Sequence, residues 1–197
     1  MKHPIYEWFA AHEADDWDFF LPLNGYPFSV VPPKPETENI IYCTKPHCLH
    51  RLVHDLGSKH SFAAIMRSGL PCDDDLDWLR PQVASRKLLF LGDADPADLL
   101  TFAWLSEHLT IRYAGLSDAL LLQCGVELND ELTIPMSKPE IAALQLVAEC
   151  LGEMQSRLGP WCSGLLSSGR KIELEALFSF AKCTPSEFEC ALTSQKG

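Results

Sequence analysis

Two aspartates separated by one residue, Asp93 and Asp95, are the residues of this 197-residue chain best suited to chemistry. They follow the short apolar run Lys87–Leu91 and precede Pro96, so they lie where a buried strand gives way to a helix. Mg²⁺ prefers hard oxygen ligands and often takes only one or two of them from carboxylates. The spacing therefore predicts a magnesium site at Asp93 and Asp95.

Further residues are predicted to line the same site, because ligands of open parallel sheets bind beyond the carboxyl ends of the strands. Thr44 and Lys45 follow the first predicted strand, Gly69 follows the second, and Asp98 lies in the first turn of the helix after Asp95. The candidates for a third acidic ligand are Asp98, Asp118 and the run 73–75. That run is also typical of a solvated helix start.

Asp95 has a structural interpretation that requires no metal. Aspartate at the N-cap, Pro96 at the first helical position and Asp98 two residues later make an ordinary helix start. The same interpretation does not explain Asp93, because burying a carboxylate at a strand end is costly unless it is paired or metal-bound.

A second candidate metal site consists of histidines on the first predicted helix. His47, His50 and His54 share one face, and Cys43 or His60 can add a ligand for Zn²⁺. That face lies opposite the apolar residues of the helix, so the spacing also predicts a solvent-exposed histidine cluster. Cys48 has no evident base near it in sequence, which favours a buried thiol over a nucleophile.

Alternating strands and helices between residues 39 and 115 position these side chains. The predicted strands are 40–43, 61–66, 87–91 and 111–114, and the predicted helices are 46–56, 73–83 and 96–109. This alternation favours right-handed crossovers and a four-stranded parallel sheet flanked by helices.

Three regions are predicted along the chain. Residues 1–38 form an aromatic arm and proline-rich linker with an edge strand at 28–31, and residues 39–115 form the α/β core. Residues 116–197 form a helical extension packed on the core, with helices at 117–123, 137–158, 161–166 and 171–180 and a last one after Thr184.

Composition limits the partners of the chain. Its net charge of −11 argues against strong autonomous binding to nucleic acid, which depends on lysine and arginine neutralising phosphates. No apolar run is long enough to span a membrane, and the acidic N-terminus is unlike a secretory leader. The eight cysteines form no C-x-x-C pair, so a reduced, cytoplasmic protein is predicted.

These motifs, in this order, resemble the Toprim domain. The resemblance consists of the first strand and helix, the turn Gly69-Leu70-Pro71, and a hydrophobic strand followed by the D-x-D-P motif of residues 93–96. It extends through Asp118 and the segment 171–177 (KIELEAL), and covers roughly residues 39–180. The motifs resemble those of the A subunit of topoisomerase VI and its meiotic relatives, and also those of the Toprim domain of Wadjet-type plasmid-defence nucleases.

The resemblance implies a divalent metal held by the D-x-D acids and by a glutamate after the first strand. Thr44 occupies the glutamate position, while Lys45 fits the lysine that often follows it in the family. A hydroxyl is a poor substitute for a carboxylate as a metal ligand or general base. We expect no counterpart of the winged-helix domain that carries the family's catalytic tyrosine, because residues 1–38 are too short for it.

Another enzyme class, the haloacid-dehalogenase phosphatases, also uses D-x-D after an apolar strand. That class favours threonine or valine two residues after the second aspartate, where this chain has Ala97. It also places the motif on its first strand, whereas two strands precede it here. The Toprim interpretation is therefore preferred.

Two functional hypotheses follow. The first is a non-catalytic accessory subunit that keeps a vestigial metal site and binds a basic protein partner. The second is a Mg²⁺-dependent nuclease or other phosphoryl-transfer enzyme that acts on nucleic acid within a complex.

Overall fold

The structure, a computed structural model, describes residues 28–67 and 71–194. The strands are β1 (Phe28–Val31), β2 (Asn39–Cys43), β3 (Phe62–Arg67), β4 (Lys87–Leu91), β5 (Ile111–Tyr113), β6 (Thr133–Pro135) and β7 (Arg170–Ile172). The helices are α1 (Pro46–Leu56), α2 (Asp73–Val83), α3 (Pro96–His108), α4 (Asp118–Gln123), α5 (Lys138–Leu151), α6 (Gln155–Leu158), α7 (Pro160–Ser167), α8 (Leu174–Phe180) and α9 (Pro185–Ser194).

The main sheet has five strands in the order β1-β3-β2-β4-β5. Strands β2 to β5 run parallel, as the alternating sequence pattern predicted, and helices flank them. The sheet has five strands rather than the four predicted for the core, because β1 pairs antiparallel with the outer edge of β3. The α/β class and the mostly parallel sheet are thus confirmed.

Apolar strands and one apolar helix form the centre of the molecule. All six residues of β3 are buried, and so are the last four residues of β2 and of β4. Helix α3 is buried along most of its length, consistent with a sequence that is hydrophobic on every face. Aromatic rings of Tyr42, Phe90, Phe102 and Tyr113 pack in succession across this core.

The C-terminal portion contains strands as well as helices. Strands β6 and β7 form an antiparallel pair, and β7 occupies the beginning of the segment predicted as the helix 171–180. The predicted long helix 137–158 ends at Leu151, because Gly152 adopts a positive φ of 68°. A separate short helix, Gln155–Leu158, then follows.

The predicted N-terminal arm lies largely outside the described residues, which begin with its edge strand, β1. The boundaries proposed at residues 38 and 115 stay predictions. One apolar core nevertheless includes residues from both sides of position 115, from Ile40 to Leu192. Within residues 28–67 and 71–194, the helices are all too short or too polar to cross a membrane.

Candidate functional site

The crevice at the carboxyl ends of β2 and β4 is where the fold positions its candidate functional side chains. From central strand β2 the chain moves to β3 on one side, and β4 then pairs on the other side. Helical connections therefore diverge at this point, which is the usual ligand position in open α/β sheets. Thr44 and Lys45 leave β2 here, and Asp93 follows β4.

Two groups of the protein engage the Asp93 carboxylate, one by an ion pair and one by a hydrogen bond. The carboxylate is only 1% exposed, with Oδ2 2.8 Å from the Lys45 Nζ in a close ion pair. Its other oxygen, Oδ1, accepts the backbone N–H of Leu174 at 2.7 Å. Both oxygens of the predicted metal ligand therefore already face a donor from the protein itself.

Asp95 and Asp98 form a local hydrogen-bond network around the start of α3. Asp95 caps the helix, because its Oδ1 accepts the Asp98 N–H at 2.8 Å. Asp98 in turn accepts the Thr44 hydroxyl at 2.7 Å and the backbone N–H of Asp93 through the same oxygen, Oδ2. The predicted residues Thr44, Lys45, Asp93, Asp95 and Asp98 are thus brought together around one acidic cluster.

Gly92 is required for this close arrangement. A Cβ atom at this position would lie 2.6 Å from Asp98 Oδ2 and 2.8 Å from the Phe90 ring. Any larger residue would displace the carboxylate that links the turn after β4 to Thr44. Gly92 therefore serves the packing of the acidic cluster.

A segment near the C-terminus, residues 170–175, lies against this cluster and is called the closing segment below. The Ala94 N–H donates to the Ile172 carbonyl at 3.1 Å, which links the segment to the turn after β4. Lys171 Nζ lies 3.9 Å from Asp95 Oδ2 and 2.7 Å from Glu140 Oε1. Glu175 Oε1 lies 3.8 Å from the Lys45 Nζ.

Lys171, Leu174 and Glu175 are site residues that the sequence analysis did not assign. Their segment carried part of the family resemblance, but it was predicted to be one helix rather than a strand followed by a helix. The signal available in the sequence was the alternation of charged and apolar residues over 171–175 (KIELE), which is typical of a strand. Bringing Lys171 to Asp95 and Leu174 to Asp93 depends on contacts across about 80 residues of sequence, which local patterns do not encode.

Burial and charge shift the pKa values of the cluster. Burial alone would lower the pKa of Lys45, but the Asp93 carboxylate raises it above its ordinary value. Burial raises the pKa of Asp93, as do the neighbouring carboxylates of Asp98 and Asp95, whereas Lys45 opposes that shift. Burial together with the Asp95 carboxylate raises the pKa of Asp98 to about 7. The Asp98 carboxyl group therefore has a pKa close to neutral pH.

This shift predicts that the protein loses stability as the pH rises. The folded-state pKa of Asp98 lies above the ordinary aspartate value near 4, so its contribution is complete below pH ~4 and is lost through pH ~7. We expect urea unfolding to give a free energy of unfolding lower at pH 8 than at pH 5 by a few kcal/mol, at about 1.4 kcal/mol per pKa unit.

The control is Asp98→Asn, which carries no titrating proton at this position. Its free energy of unfolding should depend less steeply on pH over the same interval. Equal pH dependence in both proteins would show that Asp98 ionises normally in the folded state.

Two candidates for a third acidic ligand are engaged elsewhere. The Asp118 carboxylate accepts the backbone N–H groups of Trp161 and Cys162 at the start of α7, at 2.8 and 2.9 Å. In the run 73–75, Asp73 and Asp74 are exposed, but Asp75 is fully buried. The interpretation of the whole run as a solvated helix start was wrong for Asp75, whose carboxylate accepts the Tyr42 hydroxyl in the core. Gly69 lies outside the described residues.

The predicted histidine face of α1 is exposed, but its three members have different partners. His50 Nε2 lies 3.1 Å from the Ser29 hydroxyl, and His54 lies beside Asp55. His47 Nε2 lies 2.7 Å from Glu175 Oε1 in the closing segment. Cys48 is buried, as predicted, and burial raises the pKa of its thiol to about 12.

Fold and site together define an α/β protein with an internally paired acidic cluster at the switch point of a mostly parallel sheet. The sequence matches no protein-family model, and a search of curated proteins finds no significant match. The resemblance to the Toprim domain therefore stays a prediction based on its motifs.

Proposed function

We propose that this chain is a divergent Toprim-like protein that acts as a non-catalytic accessory subunit. The observation that carries the proposal is the double engagement of Asp93, by the Lys45 ammonium at 2.8 Å and by the Leu174 amide at 2.7 Å. In this arrangement a lysine supplies the positive charge that a divalent ion supplies in an active site. The proposal takes the parallel strands β2–β5 as the four-stranded core of a Toprim-like domain. It takes the mainly helical residues 116–194 as the C-terminal portion of that domain.

The neighbouring ligand positions support the same conclusion. Thr44 stands where the resemblance implies a glutamate, and its hydroxyl donates to Asp98 rather than offering a negative charge. Mg²⁺ gives up its water shell reluctantly and takes few protein ligands. To bind at Asp93 it would have to displace a paired ammonium group and gain no carboxylate from Thr44.

The closing segment adds a second obstacle to a substrate. The Leu174 N–H and the Ala94–Ile172 bridge fix it against the turn that carries Asp93. A phosphate group approaching a metal at Asp93 would need this segment to move. The proposed role is accordingly binding to a protein partner, with contact to nucleic acid only through that complex.

Charge and cysteine chemistry indicate the setting of such a complex. The net charge of −11 favours a partner with a basic surface. All eight cysteines are free, which fits the reducing conditions of the cytoplasm that we propose as its location. The test is affinity purification of a tagged chain, where a stoichiometric partner that dissociates in high salt is expected.

The alternative function is Mg²⁺-dependent phosphoryl transfer on nucleic acid within a complex. The favouring observation is that Asp93, Asp95 and Asp98 converge at the switch point of the sheet. Lys45 is also 26% exposed, so its side chain has room to withdraw. Binding of a partner that drew Lys45 away would leave Asp93 available to a metal.

Thermal unfolding in millimolar Mg²⁺ or Mn²⁺ separates the two functions. We expect no change in the melting temperature of the wild type, because Lys45 already neutralises Asp93. Lys45→Met removes that ammonium, so Mg²⁺ should raise the melting temperature of this variant by mass action. Lys182→Met, which removes an exposed lysine paired with Glu127, is the matched control and should show no such response.

Two other results would favour the alternative function, Mg²⁺-dependent phosphoryl transfer. A rise in the wild-type melting temperature that disappears in Asp93→Asn would mean that the site binds metal as it stands. Nicking of supercoiled DNA in Mg²⁺, also lost in Asp93→Asn, would overturn the non-catalytic proposal.

A further inference from the structure

Three donor atoms of different chemistry meet beside the acidic cluster. They belong to the imidazole of His47, the thiol of Cys48 and the carboxylate of Glu175, and they lie within 4.8 Å of one another. His47 and Cys48 are in the first turn of α1, and Glu175 is in the first turn of α8. The fold brings Glu175 to His47 and Cys48, which lie more than 120 residues earlier in the chain.

The donor set suits zinc rather than magnesium. A thiolate sulfur and an imidazole nitrogen are the preferred ligands of Zn²⁺, which also accepts carboxylate oxygen, whereas Mg²⁺ requires mainly oxygen. Zinc–ligand bonds of about 2.0–2.3 Å in a tetrahedron separate neighbouring ligand atoms by roughly 3.4–3.6 Å. His47 Nε2 and Glu175 Oε1, now 2.7 Å apart, need to separate by less than about 1 Å, and the exposed imidazole is free to do so.

Glu175 has spare capacity for such an ion. Its Oε2 is buried and has no hydrogen-bond partner among the described residues. Lys45 is the nearby charge that opposes a cation, at 3.8 Å from Glu175 Oε1, but it lies closer to Asp93, at 2.8 Å. The Asp93 carboxylate therefore offsets part of the repulsion.

We propose that His47, Cys48 and Glu175 bind a zinc ion. The Cys48 thiol releases its proton to solvent as the sulfur coordinates the metal, and His47 binds as neutral imidazole through Nε2. The thiolate and the carboxylate together balance the charge of Zn²⁺. Three protein ligands leave a fourth position for water or for a ligand from a partner.

The ion links the closing segment to helix α1. Glu175 directly follows Leu174, whose N–H binds Asp93, so a metal at Glu175 fixes the segment over the crevice. This zinc site shares no ligand with the acidic cluster and does not depend on the proposed function. Zinc binding would stand even if the cluster proved to be catalytic.

Cobalt substitution provides the test. The full-length protein is treated with a chelator, desalted under reducing conditions and titrated with Co²⁺, whose thiolate complexes absorb in the near ultraviolet. We expect this absorption in the wild type, together with visible bands of tetrahedral cobalt. Addition of Zn²⁺ should abolish both, and Zn²⁺ alone should raise the melting temperature.

Substitutions assign the ligands. His47→Ala and Glu175→Gln change partly exposed side chains and should each weaken Zn²⁺ binding at least about tenfold, the effect of losing even an outer-shell partner. Cys48→Ala should abolish the thiolate absorption. The matched controls are His54→Ala, an exposed histidine of the same helix, and Cys190→Ser, the exposed cysteine of α9, and neither should alter the titration.

Three results would overturn the zinc site. They are a wild-type protein without thiolate–cobalt absorption, an absorption that survives Cys48→Ala, and equal loss of affinity in His54→Ala and His47→Ala. Because His47→Ala and Glu175→Gln leave the buried core intact, the affinity measurements remain decisive even if Cys48→Ala fails to fold.

Discussion

Lys45→Met is expected to lower the free energy of unfolding by about 3–5 kcal/mol, the cost of leaving one charge of a buried pair without its partner. Asp93 is 1% exposed, and its second oxygen faces the Lys45 ammonium at 2.8 Å. Methionine fills similar space but offers no positive charge or donor. Urea denaturation at neutral pH measures the loss, and far-ultraviolet circular dichroism confirms that the variant still folds.

Two further variants separate the effect of the lost charge from the effect of changed packing. Lys182→Met removes a lysine whose pair with Glu127 is 68% and 83% exposed, so we expect a change of less than about 1 kcal/mol. Adding Asp93→Asn to Lys45→Met removes the unpaired charge while keeping an acceptor for the Leu174 N–H. The double variant should therefore recover much of the lost stability. If Lys45→Met behaves like Lys182→Met, Lys45 does not neutralise the cluster.

Asp75→Ala is expected to lower the free energy of unfolding by a similar amount, about 3–5 kcal/mol. The partners of Asp75 are not residues of the candidate site. Asp75 is fully buried, and its Oδ2 accepts the Tyr42 hydroxyl at 2.9 Å and lies 3.3 Å from Arg67 Nε. The same carboxylate accepts the Cys72 N–H and so closes the capping box of α2. Alanine leaves the buried tyrosine and arginine without this acceptor.

Asp73→Ala is the matched control, since Asp73 is an exposed aspartate in the same helical turn. It should cost less than about 1 kcal/mol, the usual value of a surface charge near a helix N-terminus. Tyr42→Phe, which removes only the hydroxyl, should fall between the two at about 1 kcal/mol. Equal effects of Asp73→Ala and Asp75→Ala would mean that the buried network contributes little.

The two networks give the acidic residues different roles. Asp75 joins α2 to β2 and β3 through Tyr42 and Arg67, and no metal is needed to explain it. Asp93 joins the turn after β4 to Lys45 and to the closing segment. The first network concerns stability alone, whereas the second occupies the position where an open α/β sheet normally binds its ligand.

Local patterns in the sequence were sufficient for the parallel strands of the main sheet, but not for the strand order or for the pairing of β1 with β3. The apolar runs of β2, β3 and β4, the helical periodicity between them and the position of Pro96 predicted parallel strands joined by helices. They also placed Asp95 and Asp98 in a helix start, which the hydrogen bond from the Asp98 N–H confirms. These features depend on residues close together in the chain, so periodicity and helix-capping rules apply to them directly.

Tertiary structure alone decided what Asp93 and Asp75 contact. The sequence placed Asp93 at a strand end but did not indicate that Lys45 and the Leu174 amide share its two oxygens. It showed three acids in a row at 73–75, yet only packing buries Asp75 against Tyr42. Such pairings join residues 33 to 81 positions apart, and their energy depends on burial and geometry rather than on local pattern. For that reason, the sequence by itself determined the parallel strands and the place of the acids, and the packing of distant segments determined which of the acids remain available for chemistry.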